Sequence, residues 1–191
     1  SSLSFTLLGS PPRKAGGPEP AVTSVPPEEQ KRTMRLVQGD LSAATNETER
    51  FYALTKASTK ALKTGKTEEA RKLATELEAL VPKHKNDWNY GNAIQDANQV
   101  LGRIALAEGD IVEAKKRLLA SADSKGSPQM NSFGPNMQLA KDLLAKGEKE
   151  VVLTYFDRCG TFWKMGADRL AAWTKIVNEG GTPAFGANLE Y

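Results

Sequence analysis

The fold is decided by the stretch NQVLGRIALAEGD, residues 98–110, in which a large and a small residue, Leu101-Gly102, precede a turn glycine and an acid. The same spacing stands at residues 136–148 (NMQLAKDLLAKGE) and at residues 54–66 (LTKASTKALKTGK), where Ala57-Ser58 replaces the large-small pair and Lys66 replaces the acid. The turn glycines are Gly65, Gly109 and Gly147. Repetition of this kind sets an architecture before any other signal does, because each copy is one structural unit.

The residues that follow each turn glycine repeat as well. Apolar or small side chains return at the same three distances beyond each glycine, spaced as on one face of a helix. They are Ala70, Ala74 and Leu77, then Ala114, Leu118 and Ser121, then Val152, Phe156 and Cys159. Each copy therefore predicts two helices joined by a tight turn, and the chain as a whole is expected to be all-α.

A single helix pair cannot bury both of its apolar stripes, so neighbouring pairs must stack to cover them. We predict an antiparallel helix-pair solenoid of about three repeats over residues 28–180, with residues 167–178 as its C-terminal capping helix. Residues 126–135 (GSPQMNSFGP) are expected to form a loop. An extended arm at residues 1–27 and an extended tail at residues 181–191 complete the predicted chain.

This pattern resembles the tetratricopeptide repeat family, whose unit is a helix-turn-helix of about 34 residues with a large and then a small residue in its first helix. Leu101-Gly102 carries the resemblance best, and Pro82 and Pro128 stand near the places where that family ends a repeat. The turn glycines are farther apart than one family unit, so the repeats are divergent. The resemblance implies a scaffold that holds partner peptides on the first helices of its repeats.

Composition and charge narrow the class of partner. The chain has 191 residues, of which 39% are hydrophobic, enough for one domain with a sizeable core. Twenty-six Lys and Arg against 23 Asp and Glu give a net charge of +3, with the two signs interleaved and no basic stripe for nucleic acid. No stretch reaches the ~18 apolar residues of a membrane span. The expected partners are therefore proteins: copies of this chain or a larger complex.

The residues that usually carry enzyme chemistry are scarce. His84 is the one histidine and stands between two lysines after a predicted helix end, where an exposed position is expected. Cys159, the one cysteine, falls on an apolar helix face and is expected to be a buried apolar residue. The sequence contains no phosphate-binding glycine loop and no metal-ligand motif. We predict no catalytic residue, no cofactor and no metal.

Polar side chains form a row on the helix predicted between Asn86 and Glu108. Asn and Gln offer both a donor and an acceptor, so a row of them suits the backbone of an extended peptide. The predicted partner-binding residues of this surface are Trp88, Asn92, Gln99 and Arg103, joined by Lys141 from the third repeat. A solvated polar face is the alternative.

Two groups of apolar residues each have two possible roles. Met130 and Phe133 lie in the predicted loop and either dock on the helices or contact a partner. The C-terminal aromatic residues either pack the end of the stack or mark an interface. These aromatic residues are Phe156, Phe162, Trp163 and Trp173.

The N-terminal arm contains GSPPRKAGGPEPAVTSVPP, residues 9–27, which is too rich in proline and glycine for a helix. We expect Phe5, Leu7 and Leu8 to form an apolar anchor that contacts a neighbouring molecule. No methionine precedes Ser1, and the tether-like composition of residues 9–27 favours a processed N-terminus and an extracytoplasmic location, with anchoring to a membrane complex left open. Loss of methionine in a cytoplasmic protein is the alternative.

Together these observations predict a non-enzymatic protein-interaction or assembly subunit that its arm tethers to a larger complex or filament. A cytoplasmic peptide-binding adaptor is the alternative function, and it requires a free groove. An enzyme or enzyme accessory would require a pocket that brings His84, Cys159 or acidic residues together.

Overall fold

The computed structural model describes residues 25–191, and this part of the chain is entirely helical, with nine α-helices and no strand. The helices are α1 (Pro27–Val37), α2 (Glu47–Lys63), α3 (Thr67–Leu80), α4 (Tyr90–Ala107), α5 (Ile111–Ser121), α6 (Pro128–Phe133), α7 (Gln138–Ala145), α8 (Lys149–Cys159) and α9 (Ala167–Asn178). The all-α prediction is confirmed for this range. The predicted anchor residues Phe5, Leu7 and Leu8 lie outside the described residues.

The three predicted turns are confirmed, and they share one geometry. Gly65, Gly109 and Gly147 have positive φ angles of 77°, 85° and 81°, which glycine adopts without a steric penalty. At the first of them, the N–H of Lys66 donates to the carbonyl of Ala61 at 2.9 Å, and the other two turns repeat this bond. The glycine therefore ends one helix and satisfies its last carbonyls before the next helix begins.

The repeated apolar positions form the core. The aligned residues that lie within the helices are all buried except Leu101, which is half-buried, whereas the turn glycines are exposed. One apolar cluster joins α2 and α3 to residues of α4 from Ala93 to Ile104; a second joins Ala105 and Leu106 of α4 to α5, α7, α8 and α9. Helix α4 packs against both α2 and α3, and α7 packs against both α4 and α5. Each helix pair thus covers apolar surface that its neighbour leaves open.

Gly102 allows the close contact between α4 and α7. A Cβ atom at this position would lie 2.5 Å from Leu139 Cδ2 and 2.8 Å from Arg117 Cβ. Such distances are well inside van der Waals contact, so a larger residue would push the helices apart. The small residue of the Leu101-Gly102 pair is required by packing.

Three local predictions are wrong. Residues 128–133 form helix α6, because the Ser127 hydroxyl accepts a hydrogen bond from the Met130 N–H and Pro128 suits the first helical position. Helix α4 begins at Tyr90, after a 3₁₀ turn at Val81–His84 that prolongs α3. The tail includes a 3₁₀ turn at Gly186–Leu189.

The C-terminal tail returns to the helices. Phe185 is buried in the second cluster, where its ring meets that of Trp173 at a centroid distance of 5.0 Å. The carbonyl of Asn188 accepts a hydrogen bond from the Met137 N–H just before α7. These contacts bring the last residues of the chain beside α4 and α6. None of the helices between residues 25 and 191 is both long and apolar enough for a bilayer span.

Candidate functional site

The polar row predicted on α4 is divided between the interior and the surface. Gln99 is only 2% exposed. Its Oε1 accepts a hydrogen bond from the Leu139 N–H at 3.2 Å, and its Nε2 donates to the Ser121 hydroxyl at 3.2 Å. The amide therefore joins α4 to α5 and α7, and the expected accessible surface does not pass through Gln99.

Gln95 is used in the same way one turn earlier. Its Oε1 accepts a hydrogen bond from the Asn136 N–H at 2.9 Å. The carbonyl of Asn136 in turn accepts from the Tyr155 hydroxyl at 2.6 Å, and burial raises the pKa of Tyr155 well above its ordinary value. The two glutamines thus pair with backbone N–H groups, as their chemistry allows, but these groups belong to the chain's own segment that enters α7.

The other predicted residues are not all brought together. Asn92 accepts a hydrogen bond from Ser127 Oγ at 2.6 Å and donates to Gln129 Oε1 at 3.0 Å, so it holds the start of α6 against α4. Arg103 donates to Gln138 Oε1 at 2.9 Å, on the α7 side of the helix. The side chain of Lys141 is exposed on α7.

Trp88 and Asn92 line a cleft of about 610 Å³, whereas Arg103 and Lys141 do not. The walls of the cleft are formed by α2, α4, α6 and the C-terminal tail, with Val37 of α1 and Arg169 of α9 at its edge. Pockets of this size with a few polar groups are typical of binding sites. The cleft was not evident from the sequence, because its walls come from segments far apart in the chain.

Exposed apolar side chains surround the cleft. Trp88 is 50% exposed, Val37 is 53% exposed and Phe133 is 72% exposed. The Trp88 ring packs against Tyr52 at a centroid distance of 5.4 Å, and the Tyr52 hydroxyl donates to Asp87 at 2.6 Å. Burial, together with the Asp87 carboxylate, raises the pKa of Tyr52 to about 12, so its hydroxyl stays a donor. Trp88 is therefore supported from below and still open to a ligand.

Met130 and Phe133 differ in whether they dock on the helices or stay open to a partner. Met130 is 1% exposed and belongs to the second core cluster, so it docks on the helices. Phe133 points away from that cluster to the cleft and to solvent. One helix thus uses a methionine to hold its place and presents a phenylalanine.

Polar groups without protein partners line the cleft. Asn89 is 3% exposed, and its Nδ2 is buried with no hydrogen-bond partner in residues 25–191. Its Oδ1 accepts from Asn92 at 3.2 Å, which fixes the direction of the amide. A buried donor without an acceptor costs about 1–3 kcal/mol, so Asn89 leaves an uncompensated polar group beside the cleft.

Asp96 lines the same cleft and, within residues 25–191, forms no ion pair. Burial raises the pKa of its carboxyl group to about 7, although the Lys56 charge and a hydrogen bond from Gln95 lower it. Burial and the Asp96 charge raise the pKa of Tyr191 to about 12. A carboxylate held in this way is costly to ionise, and such groups concentrate at functional sites.

A second depression, of about 970 Å³, is more polar and more open to solvent. Its charged residues have both signs and are exposed, for example Asp123, Lys125 and Arg158. No exposed large apolar side chain lines it. The cleft is therefore the better candidate for a binding site.

The two residues considered for catalysis lie apart from the cleft. His84 is largely buried, not exposed as expected: its ring stacks on Phe51 at a centroid distance of 4.3 Å, which the lysines beside it did not reveal. Cys159 is buried as predicted, and burial raises the pKa of its thiol well above the ordinary range. A neutral buried thiol is a poor nucleophile. Residues 25–191 contain no group of side chains arranged to hold a metal ion.

Comparison of the chain with protein-family models gave no match, and comparisons with curated proteins and with solved structures gave none either. The resemblance to tetratricopeptide repeats is therefore carried by the repeat pattern alone.

Proposed function

We propose that this chain is a non-enzymatic protein-interaction subunit, and that the cleft binds an extended segment of a protein partner. The observation that carries the proposal is the combination of exposed aromatic side chains, Trp88 and Phe133, with the unpartnered amide of Asn89. Aromatic anchors supply most of the binding energy in protein interfaces. Unpaired amide donors suit the carbonyl groups of a peptide backbone.

The scaffold in this proposal is a divergent, tetratricopeptide-like stack of helix pairs. Three pairs support it: α2 with α3, α4 with α5, and α7 with α8. Each first helix, α4 and then α7, packs against both helices of the preceding pair, and α9 covers α8 at the C-terminal end. Stacking of this kind places first helices side by side, so that a ligand meets several repeats at once.

The N-terminal arm is the second part of the proposal. We propose that residues 1–27 tether the helical domain to a larger complex or filament, with Phe5, Leu7 and Leu8 as the anchor. The support is compositional: proline-rich segments lose little entropy on docking because their backbone is already restricted. Extracytoplasmic location stays the prediction that accompanies a processed N-terminus.

The cleft can be tested with a phage-displayed library of random peptides selected on the full-length protein. We expect selected peptides to bind with an affinity that falls at least about tenfold in Trp88→Ala and Phe133→Ala, because both changes remove anchor surface. The matched control is Met165→Ala. Met165 is, like Trp88 and Phe133, an exposed large apolar side chain, with 79% of its surface exposed, but it lies outside the cleft. Its affinity should stay within about twofold of the parent.

Two results would contradict the proposal. One is a selection that yields no peptide above background. The other is a set of peptides whose affinity is the same in Trp88→Ala as in the parent protein. Circular dichroism spectra of the variants should match that of the parent, so that a loss of binding is not a loss of folding.

A further inference from the structure

Two carboxylates that form no ion pair within residues 25–191, Asp96 and Glu190, line the cleft, and of these only Asp96 is partly buried. Asp96 lines the cleft from α4 and has no ion-pair partner in the described part of the chain. By contrast, Glu49 and Glu76 pair with Arg32 and Arg50 respectively. Other carboxylates without an ion pair, for example Asp123 and Glu179, are exposed to solvent, whereas Asp96 is partly buried in the wall of the cleft.

The other charged or titratable side chains that line the cleft come from three elements. Tyr52 and Lys56 project from α2, Arg169 from α9, and Glu190 and Tyr191 from the C-terminal tail. Lys56 attracts Asp96 from a distance beyond an ion pair, and it is itself exposed to solvent. Exposed cations are well hydrated and give little compensation to a carboxylate below them.

We infer that the bound segment places a lysine or arginine side chain against Asp96, with apolar residues beside it on Trp88 and Phe133. This inference rests on the proposed function. An ion pair with hydrogen bonds compensates a desolvated carboxylate far better than water at the mouth of a cleft. The same segment would offer a backbone carbonyl to Asn89.

The proton equilibrium of Asp96 supports this assignment. Because the pKa of its carboxyl group is about 7 in the free protein, about half of the molecules carry a proton there near neutral pH. A cationic ligand favours the ionised form and therefore displaces this proton. Binding should strengthen as the pH rises through about 7, and a ligand without a cation should not show this dependence.

The inference is tested with four pools of fluorescein-labelled nonapeptides and the full-length protein, by fluorescence anisotropy. The central residue is lysine, arginine, norleucine or glutamine, and the neighbours vary among phenylalanine, leucine, serine and glycine. Norleucine keeps the aliphatic stem of lysine and removes its charge. We expect the lysine and arginine pools to bind at least about tenfold more tightly than the norleucine pool at about pH 8.

The matched variants are Asp96→Asn, which removes the charge with little change in shape, and Asp123→Asn, an exposed carboxylate outside the cleft. Asp96→Asn should abolish the preference for lysine over norleucine, whereas Asp123→Asn should keep it. In the parent protein the affinity for the lysine pool should fall about tenfold between pH 8 and pH 6, and in Asp96→Asn it should not change.

The possible outcomes distinguish the role of Asp96 as a site for a basic side chain from the proposed peptide-binding function of the cleft. If the norleucine pool binds as tightly as the lysine pool, and Trp88→Ala weakens both, the proposed function stands and the basic anchor is wrong. If none of the four pools binds the parent protein, the proposed function fails as well. If deletion of residues 1–24 raises the affinity of the lysine pool more than about tenfold, the occupant is the chain's own arm, and a separate partner is wrong.

Discussion

Two neighbouring rows of polar side chains on α4 and just before it are used in opposite ways. In the closed row, Gln95 and Gln99 are buried and hydrogen-bonded to the segment that enters α7. In the open row, Asn89 is equally buried but keeps an unpaired donor, and Asp96 lacks a counter-ion in the described residues. The difference shows that polarity alone does not identify a binding face. What matters is whether the chain itself supplies the partner.

The largest expected effect is on the closed row. Gln99→Ala should lower the free energy of unfolding by about 2–4 kcal/mol, because the Leu139 N–H and the Ser121 hydroxyl lose a buried partner. Urea denaturation at neutral pH measures it. The control is Gln30→Ala on the exposed face of α1, expected to change stability by less than about 0.5 kcal/mol. Equal effects in the two variants would show that the buried hydrogen bonds of Gln99 contribute no more to stability than an exposed amide does.

An intermediate effect of opposite sign is expected in the cleft. The pKa of Asp96 is about 7 in the folded protein, above the ordinary 3.8, so the folded state binds more protons between these values. The free energy of unfolding therefore falls as the pH rises from about 4 to about 7, and Asp96→Asn removes this loss. The variant should be more stable than the parent at pH 8 by on the order of 2 kcal/mol, and equally stable near pH 4.

Urea titrations at both pH values measure this difference, with Asp123→Asn as the control for a change of net charge. A variant that is less stable than the parent at pH 8 would show that Asp96 is compensated within the protein. In that case Asp96 would be satisfied by the chain itself, as the closed row is, and the contrast between the two rows would fail. A gain in stability together with a loss of peptide affinity would sharpen it.

The smallest effect is expected on α7. The side chain of Lys141 is exposed and forms no hydrogen bond or ion pair with residues 25–191, so Lys141→Ala should change the free energy of unfolding by less than about 0.5 kcal/mol. The affinity for the lysine pool should stay within about twofold, because Lys141 does not line the cleft. A clear loss of affinity would extend the binding surface to α7 and would restore the longer groove expected from the sequence.

Much of the fold could be predicted because its signals are local. The turns at Gly65, Gly109 and Gly147 follow from a backbone conformation that glycine adopts easily, and the buried faces follow from helical spacing. Helix α6 was missed although Ser127-Pro128 is a good helix start, because the surrounding glycines and prolines are typical of loops. Capping at Ser127 was the signal that could have revealed it.

The candidate site was only half predicted. Trp88 and Asn92 were identified from their spacing on one helix, and both line the cleft. Gln99 occupies the same face by spacing but is covered by α5 and α7, which no local pattern could reveal. Asn89 and Asp96 were missed because one polar residue in a helical stretch looks like any other until its surroundings are known.

The sequence by itself determined the helices, their turns and the faces that are buried, because hydrogen bonds within a helix and the period of apolar residues act over a few positions. Only the tertiary structure decided which polar groups are satisfied. The return of the tail beside α4 and the position of α6 enclose Asp96 and leave Phe133 open. Burial and pairing depend on atoms from distant segments, so the chemistry of the cleft appears only when those segments meet.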